Sequence, residues 1–228
     1  MTTILGYNDI KQEYVNAMGR DLGELFHDLW EEVSALHMYW GEFVELYGSG
    51  QERIDLLNRS ASGFFWITHK VMLEYVVLHI TRLLDAPKTK KQARATLKAL
   101  PAKVDATLKL AVQRQLDAIA GRAAFCWDWR DRHLAHRDLE LALERAAKPL
   151  LEGSRDDIGE ILEGMANLLN TVREHYRMSR LTFDLASPTS GADNLLRMLQ
   201  LALMMRERRN AQMKRGEEPD GGYRLPPV

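Results

Sequence analysis

The spacing of apolar residues constrains the fold of this chain more than any other feature of its sequence. Apolar side chains recur every three or four positions along most of the chain, as in the series Leu22, Phe26, Leu29 and Val33. This interval matches the 3.6-residue turn of an α-helix and places the apolar side chains on one face. Alternating runs of Val, Ile and Thr, which indicate strands, are nearly absent, and three of the seven prolines lie within the last ten residues. The sequence therefore predicts an all-α fold.

Glycine, proline and capping residues divide the chain into predicted helices. We expect long helices over roughly 9–47, 51–84, 102–132, 154–180 and 192–215, and a short helix that ends at Leu100. The first should bend near Gly19 and Gly23, and the third long helix should have Pro101 in its first turn. The capping box of Ser154 and Asp157 should open the helix over 154–180. The helix over 51–84 is apolar over a wide arc, which predicts a central position with neighbours on two sides. We expect one domain over 1–228, with a core over about 9–180, a C-terminal helix over about 190–215 and a flexible tail over 216–228.

Composition excludes several classes of protein. The net charge of −1 gives no overall attraction to nucleic acids or to anionic membranes. Cys126 is the only cysteine, which excludes an internal disulfide and a zinc site built from cysteines, and which fits a reducing compartment. The N-terminal residues show no signal peptide, and charged residues interrupt the most apolar segment, 64–84. We therefore expect a cytoplasmic protein that does not enter the membrane.

Charge is distributed unevenly along the chain. Residues 1–60 contain eleven acidic and four basic side chains, whereas residues 86–137 contain twelve basic and four acidic ones. The second region would attract a polyanion. Solvated helices also segregate charge without any function, and the counts alone do not exclude this. The predicted RNA-binding residues are Lys88, Lys90, Lys91, Arg94 and Arg137.

Residues 127–138 gather charged side chains and histidines more densely than any other stretch. Their order is Trp-Asp-Trp-Arg-Asp-Arg-His-Leu-Ala-His-Arg-Asp. Arg130 and His136 are six positions apart, and on an unbroken α-helix this spacing separates their directions by about 120°. The two side chains would then not share a face. A common site for them requires either a break in the helix or a second copy of the chain.

Arginine and histidine together provide what cleavage of a phosphodiester bond requires. An imidazole ordinarily titrates near neutral pH, so the side chain of His136 can exchange a proton with a ribose 2′-hydroxyl or a departing 5′-oxygen. The guanidinium of Arg130 keeps its charge and holds the non-bridging phosphate oxygens as negative charge builds up. Asp131 is placed to orient either group. This chemistry needs no metal.

The residues alone leave two alternatives open. One is a structural cluster in which arginines and aspartates of this stretch pair on a helix surface, with incidental histidines. The other is a metal site, because His133 and His136 lie three positions apart and Asp131 or Asp138 could add oxygen ligands. No third histidine and no HExxH pattern support the metal site.

The stretch resembles the Arg-polar-x(3–4)-His motif of HEPN domains. More narrowly, Arg-Asp-x3-Ala-His-x-Asp at 130–138 and Arg-Leu-x-Asp at 82–85 are similar to the abortive-infection (Abi) U-type branch of that family. There the first motif follows a long helix and the second closes a central helix. The likeness covers roughly residues 20–205. It implies an all-α HEPN-like bundle with long antiparallel helices and additional C-terminal helices, which dimerises through the motif helices.

The resemblance also implies roles for individual residues. Active members are metal-independent endoribonucleases, often components of phage-defence or toxin–antitoxin systems. Arg130 would hold the phosphate and stabilise the transition state, and His136 would be the general acid and base. Asp131, Arg132, His133 and Asp138 would support them. Arg82 and Asp85 would lie behind the motif.

The expected partners are RNA and a second copy of the chain, and no metal or other cofactor is expected. A cognate antitoxin or a nucleotidyltransferase-like protein is a further candidate partner. Toxins controlled by tyrosine nucleotidylation carry a tyrosine two places after the motif histidine, whereas this chain has Asp138 there, so that control is not implied. Many HEPN domains do not catalyse a reaction, so the alternative is a module that binds a nucleotide or a protein partner.

Overall fold

All regular structure in the described part of the chain is helical. The computed structural model describes residues 7–88, 92–134, 150–183 and 190–217. Its α-helices are α1 (Tyr7–Met18), α2 (Arg20–Tyr47), α3 (Gln51–Leu83), α4 (Ala106–Arg122), α5 (Ala124–Trp129), α6 (Arg155–His175) and α7 (Ala192–Lys214). A 3₁₀-helix, Leu97–Ala102, precedes α4, and a π-helical turn, Arg130–Leu134, follows α5. These residues contain no strand, so the predicted all-α class is confirmed.

The predicted first helix is in fact two helices that meet at Gly19. Gly19 has φ 81°, a left-handed conformation that glycine adopts without strain. A Cβ on Gly23 would lie 2.6 Å from backbone atoms of Tyr14 and Val15. Glycine at this position therefore lets α1 and α2 approach closely. The expected bend is a complete break.

The start of α4 also differs from the prediction. Pro101 lies inside the 3₁₀-helix and not in the first turn of the long helix. The N-cap of α4 is Asp105, whose Oδ1 accepts a hydrogen bond from the Thr107 N–H at 3.0 Å. Because Asp105 satisfies this N–H, the helix begins after the aspartate. The hydrogen bonds from the Thr107 N–H and hydroxyl lower the pKa of Asp105 below its usual value.

Helices α4 and α6 pack together in the first of two compact units, which comprises residues 1–40 and 72–185. Leu108, Val112, Leu116 and Ile119 of α4 are buried, as is the apolar stripe of α6. A Cβ on Gly164 of α6 would lie 3.0 Å from Ile119 of α4, so glycine makes room for that side chain. The predicted capping box of Ser154 and Asp157 opens α6, but the helix ends at His175, short of residue 180. Arg177 has φ 58° and directs the chain out of the helix.

The second compact unit comprises residues 41–71 and 186–228 and contains α7. The backbone N–H of Ala192, in the first turn of α7, donates to Glu42 Oε2 at 2.5 Å. A carboxylate at this end is favourable because the first N–H groups of a helix carry partial positive charge. The predicted C-terminal helix is confirmed, and most of the predicted tail lies outside the described residues. The prediction of one domain over 1–228 stays a prediction, since compact units are not by themselves separate domains.

The part of α3 in the second unit is more exposed than its sequence predicts. Phe64, Ile67 and Val71 lie along one side of the helix, and each is more than half exposed. Ala61 has φ −159° and ψ 70°, which interrupts the helical geometry. The expectation of neighbours on two sides is therefore wrong for this part of α3. An apolar pattern shows which residues share a face but not whether the chain itself covers that face.

Candidate functional site

The motif stretch lies where the helix changes its form. The predicted helix over 102–132 is interrupted at Ala123, whose ψ of 5° differs from the helical value. After α5, residues 130–134 adopt a π-helical turn with hydrogen bonds from i to i+5. Such turns are rare and occur frequently at functional sites. Arg130 is the first residue of this turn, so the unbroken α-helix assumed for its spacing from His136 is not present.

Arg130 is held by two carboxylates of the first unit. Its Nε donates to Asp131 Oδ1 at 2.7 Å, and its Nη1 donates to Asp85 Oδ1 at 3.1 Å. The side chain is 24 % exposed, so it is neither free in solvent nor fully enclosed. Burial alone would lower the pKa of Arg130, but the hydrogen bonds to Asp131 and Asp85 outweigh it and raise the pKa. The guanidinium therefore keeps its charge in a fixed position at the start of the turn.

Asp85 connects the end of α3 to two arginines. Its Oδ1 accepts from Arg130, and its Oδ2 accepts from Arg94 Nη1 at 3.1 Å. The backbone N–H of Arg94 also donates to the Pro87 carbonyl at 2.8 Å. Asp85 and Arg94 are thus brought beside the motif arginine. Lys88, also predicted to bind RNA, is exposed and forms an isolated bridge with Ala93.

Arg82 faces a different group. Its guanidinium binds Glu32, and the same Glu32 Oε1 lies 3.2 Å from Nδ1 of His79. The ring of His79 stacks on Tyr75 with 3.9 Å between centroids. Burial, followed by the nearby charge of Arg82, lowers the pKa of His79, although the hydrogen bond and the charge of Glu32 act in the opposite direction. Within the described residues, the Arg82 guanidinium therefore binds Glu32, and Arg82 meets Asp85 only through its backbone carbonyl, which accepts the Asp85 N–H at 3.3 Å.

The motif is tied to the chain that follows it. Asp128 Oδ2 accepts the backbone N–H of Leu151 at 2.8 Å, and Trp129 Nε1 donates to the Leu151 carbonyl at 2.8 Å. Asp128 also accepts from Arg132 at 3.5 Å, a long contact. The pairing of Asp128 with Arg132 is of the kind that the structural cluster predicts, whereas the two contacts with Leu151 were not predicted. These two contacts join residues more than twenty positions apart, and no local sequence pattern reveals such a pairing.

Phe125 and Gly153 form a second contact between these segments. A Cβ on Gly153 would lie 2.2 Å from a ring carbon of Phe125, so the glycine backbone packs directly on the ring. Phe125 is buried and meets Trp129 edge-on at 5.4 Å. The ring of Trp127 lies 5.3 Å from Nζ of Lys98, within the range of a cation–π contact. The aromatic residues of 125–129 therefore fix the approach to the π-turn.

Several predicted site residues cannot be placed. Those outside the described part of the chain are His136, Arg137, Asp138, Lys90 and Lys91. His133 is described and is exposed, as is Asp131. Within the described ranges, no group of three histidine, cysteine, aspartate or glutamate residues could hold a metal ion. The metal alternative depends on His136, so it remains untested.

None of the described helices combines the length and the apolar character that crossing a membrane requires.

A comparison with protein families decides the relationship of the chain. The model described as HEPN_AbiU2, AbiU2, matches residues 20–194. The chain belongs to the HEPN AbiU2 family. The predicted membership is confirmed, and the matched range includes both Arg82–Asp85 and the motif stretch. HEPN domains of this kind are often RNases in abortive-infection systems.

No curated protein and no solved structure matches the chain.

Proposed function

We propose that this HEPN AbiU2 protein is a metal-independent endoribonuclease of a phage-defence or toxin–antitoxin system. Its site would lie at the interface of a homodimer and would contain Arg130 and His136. The observation that carries the proposal is the setting of Arg130. A permanently charged, partly exposed guanidinium is held by Asp85 and Asp131 at the first residue of a π-helical turn, within the family motif.

In the proposed reaction, His136 takes the proton of the ribose 2′-hydroxyl as the 2′-oxygen attacks the adjacent phosphorus. The bond from phosphorus to the 5′-oxygen breaks, and that oxygen takes a proton from the imidazolium, which returns to its neutral form. The products are a 2′,3′-cyclic phosphate and a 5′-hydroxyl. Arg130 holds the non-bridging oxygens, whose negative charge increases in the transition state. An imidazole near its usual pKa supports proton transfer at neutral pH.

The RNA backbone would bind along the basic region beside this site. Arg94 donates to the carboxylate of Asp85, which also binds Arg130, and Lys88 is exposed between α3 and the 3₁₀-helix, as Arg94 is. Lys90, Lys91 and Arg137 complete the proposed set of contacts. Because such contacts neutralise phosphates, they predict binding that weakens as salt increases. The proposed partners remain RNA, a second copy, and a cognate antitoxin or nucleotidyltransferase-like protein in a cytoplasmic setting.

Cleavage of single-stranded RNA in the presence of EDTA tests the activity. We expect the wild-type protein to produce cyclic phosphate ends and His136→Ala to lose about 10²–10⁴-fold in rate, the usual contribution of general acid–base catalysis. His175→Ala is the matched control, since His175 is an exposed histidine at the end of α6. Cleavage that persists in His136→Ala would exclude His136 as the acid or base.

A mixture of two inactive variants tests the shared site. If Arg130 and His136 of one site come from different chains, a dimer of Arg130→Ala with His136→Ala retains one intact site. Random exchange of subunits then restores about one quarter of the wild-type sites, because half of the dimers are mixed and each has one intact site of two. No recovery after confirmed exchange would place both groups in the same chain or remove the dimer from the mechanism.

A second candidate is a non-catalytic HEPN module that binds a nucleotide or protein partner. The same two ion pairs of Arg130 favour it, since a structural charge cluster would have this arrangement. This candidate predicts no cleavage of RNA by the wild-type protein. It also predicts that His136→Ala weakens dimerisation, which sedimentation measures directly.

A further inference from the structure

The Asp85 carboxylate makes the same contacts that a phosphate would make at this site. Its two oxygens are divided between two arginines, with Oδ1 on Arg130 and Oδ2 on Arg94. A phosphodiester likewise presents two non-bridging oxygens, and guanidinium groups bind carboxylates and phosphates with closely similar geometry. The arrangement thus places two arginines around one small anion. Here that anion belongs to the protein.

The hydrogen-bond distances differ between the two carboxylates that bind Arg130. Hydrogen bonds between charged nitrogen and oxygen groups are usually about 2.7–2.9 Å long. The bond from Arg130 to Asp131 is 2.7 Å, whereas both bonds to Asp85 are 3.1 Å. Asp131 is therefore the closer partner of Arg130. Asp85 is the partner that an incoming anion would replace at lower cost.

Both arginines have supports that do not depend on Asp85. Arg130 keeps its bond to Asp131, and the backbone of Arg94 is bound to the Pro87 carbonyl at 2.8 Å. Asp85 itself lies after the end of α3, where the helix carbonyls carry partial negative charge. A carboxylate is unfavourable there without its arginines. If the carboxylate moved away, the Arg130 side chain and the Arg94 backbone would keep these supports.

The three groups are accessible to a ligand. The side chains of Arg130 and Asp85 are 24 % and 25 % exposed, and that of Arg94 is 44 % exposed. Ion pairs with this degree of exposure to water contribute little to stability, because solvent screens them. Two arginines and two aspartates also give the cluster no net charge. An RNA phosphate would compete poorly for it while Asp85 remains in place.

We propose that Asp85 occupies the position of an RNA phosphate between Arg94 and Arg130, so that RNA binds there only by displacing this carboxylate. The proposal rests on the proposed function for the identity of the anion. It gives Asp85 a competing role and Arg94 a direct contact with the phosphate that Arg130 also binds. The resting site is thereby closed by a residue of its own chain.

Binding of a 2′-O-methylated RNA oligonucleotide tests this separately from cleavage. Such RNA has no free 2′-hydroxyl, so the proposed reaction cannot occur. We expect Asp85→Asn to bind this RNA about two- to five-fold more tightly than wild type, roughly the factor that one exposed ion pair contributes. The same change should tighten binding less in an Arg94→Gln background, where Asp85 competes only for Arg130. Arg94→Gln alone should weaken binding.

Asp131→Asn is the matched control, because it removes the same charge from the same arginine. It also removes the closer support of Arg130, so we expect binding no tighter than that of wild type. Unchanged or weaker binding by Asp85→Asn would overturn the proposal. So would equal tightening by Asp131→Asn, which would show a general effect of charge. Unchanged binding by Arg94→Gln would overturn it independently of the folding of Asp85→Asn.

The outcomes also distinguish this proposal from the proposed function. If Asp85→Asn tightens binding but no protein cleaves unmodified RNA, the competing role of Asp85 stands and the ribonuclease does not. If wild type cleaves RNA and Asp85→Asn does not tighten binding, the ribonuclease stands and the competing role fails. If no variant binds the oligonucleotide, the competing role fails, and cleavage of unmodified RNA by the wild-type protein decides on the ribonuclease.

Discussion

Replacing Gly153 with alanine should push apart the two segments that contact each other through Gly153 and Phe125, one after the motif and one before it. The added Cβ would lie 2.2 Å and 2.4 Å from two ring carbons of Phe125. Carbon atoms in contact are usually about 3.5–4.0 Å apart, so the ring or the backbone must move by more than about 1 Å. The ring has little room, since Phe125 is 5 % exposed and packs against Trp129.

Two effects of opposite sign determine the size of the change. Overpacking a closely packed site costs about 1–3 kcal/mol. Replacing glycine with alanine also restricts the unfolded chain, which stabilises the folded state by about 0.4–1 kcal/mol. An overlap of more than about 1 Å places the cost in the upper part of its range, so the free energy of unfolding should fall by about 1–2 kcal/mol. For a chain of this size, that lowers Tm by about 2–8 °C.

Urea unfolding followed by circular dichroism measures this change. Gly121→Ala is the control, because a Cβ on Gly121 of α4 meets nothing within 4 Å and should leave stability unchanged or raise it by up to about 1 kcal/mol. In a Phe125→Ala background the clash is absent, so Gly153→Ala should no longer destabilise. The reasoning is refuted if Gly153→Ala is as stable as wild type, or if its cost is the same with and without the ring.

Two further predictions follow from shifted pKa values. Burial lowers the pKa of His69 from 6.5, and burial together with the charge of Arg82 lowers that of His79 from the same value. As pH falls, these two histidines therefore take up protons in the unfolded chain before they do so in the folded protein. The contribution of the two neutral histidines to stability is complete above pH 6.5 and decreases below it. The slope of the unfolding free energy against pH should therefore flatten below pH 6.5 in His69→Gln and in His79→Gln. An unchanged slope would contradict the lowered pKa values. Burial, followed by the nearby charge of Asp157, raises the pKa of Cys126 to about 12, so a thiol reagent should label Cys126 only as rapidly as the protein unfolds. Rapid labelling of the folded protein would show that this side chain is accessible.

Local signals in the sequence predicted the elements that depend on local interactions. The capping box of Ser154 and Asp157 identified the start of α6, because its hydrogen bonds join residues three positions apart. Helix α3 ends at Leu83, close to the predicted end before Asp85 and Pro87. Gly19 marked the junction of α1 and α2, although its left-handed φ makes a break where only a bend was expected.

Interruptions at alanine were not predictable in this way. Ala61 and Ala123 depart from helical geometry although alanine is the best helix former. Ala123 is fully buried, so tertiary packing and not local preference determines its conformation. The same holds for the exposure of α3, since the periodicity of apolar residues does not specify which faces the chain covers.

The candidate site combines local and long-range information. Proximity of Asp85 to the motif was expected only from the family resemblance, and the structure shows its bonds to Arg130 and Arg94. The family resemblance did not reveal that the Arg82 side chain binds Glu32 and not the motif. The ties from Asp128 and Trp129 to Leu151 have no counterpart in the sequence pattern, because they depend on how distant segments meet.

The bond between Asp85 and Arg130 also determines when a newly made chain can assemble its site. These residues are 45 positions apart, and α4, which lies between them, packs on α6 beyond both. At about 5–20 residues per second, roughly 5–20 seconds of synthesis separate Asp85 from the end of α6. During the first half of that interval Arg130 has not yet been made, and during the rest α4 still lacks α6, the helix on which it packs. Under the proposed function, a nascent chain therefore cannot cleave the RNA around it before most of the first unit has been made.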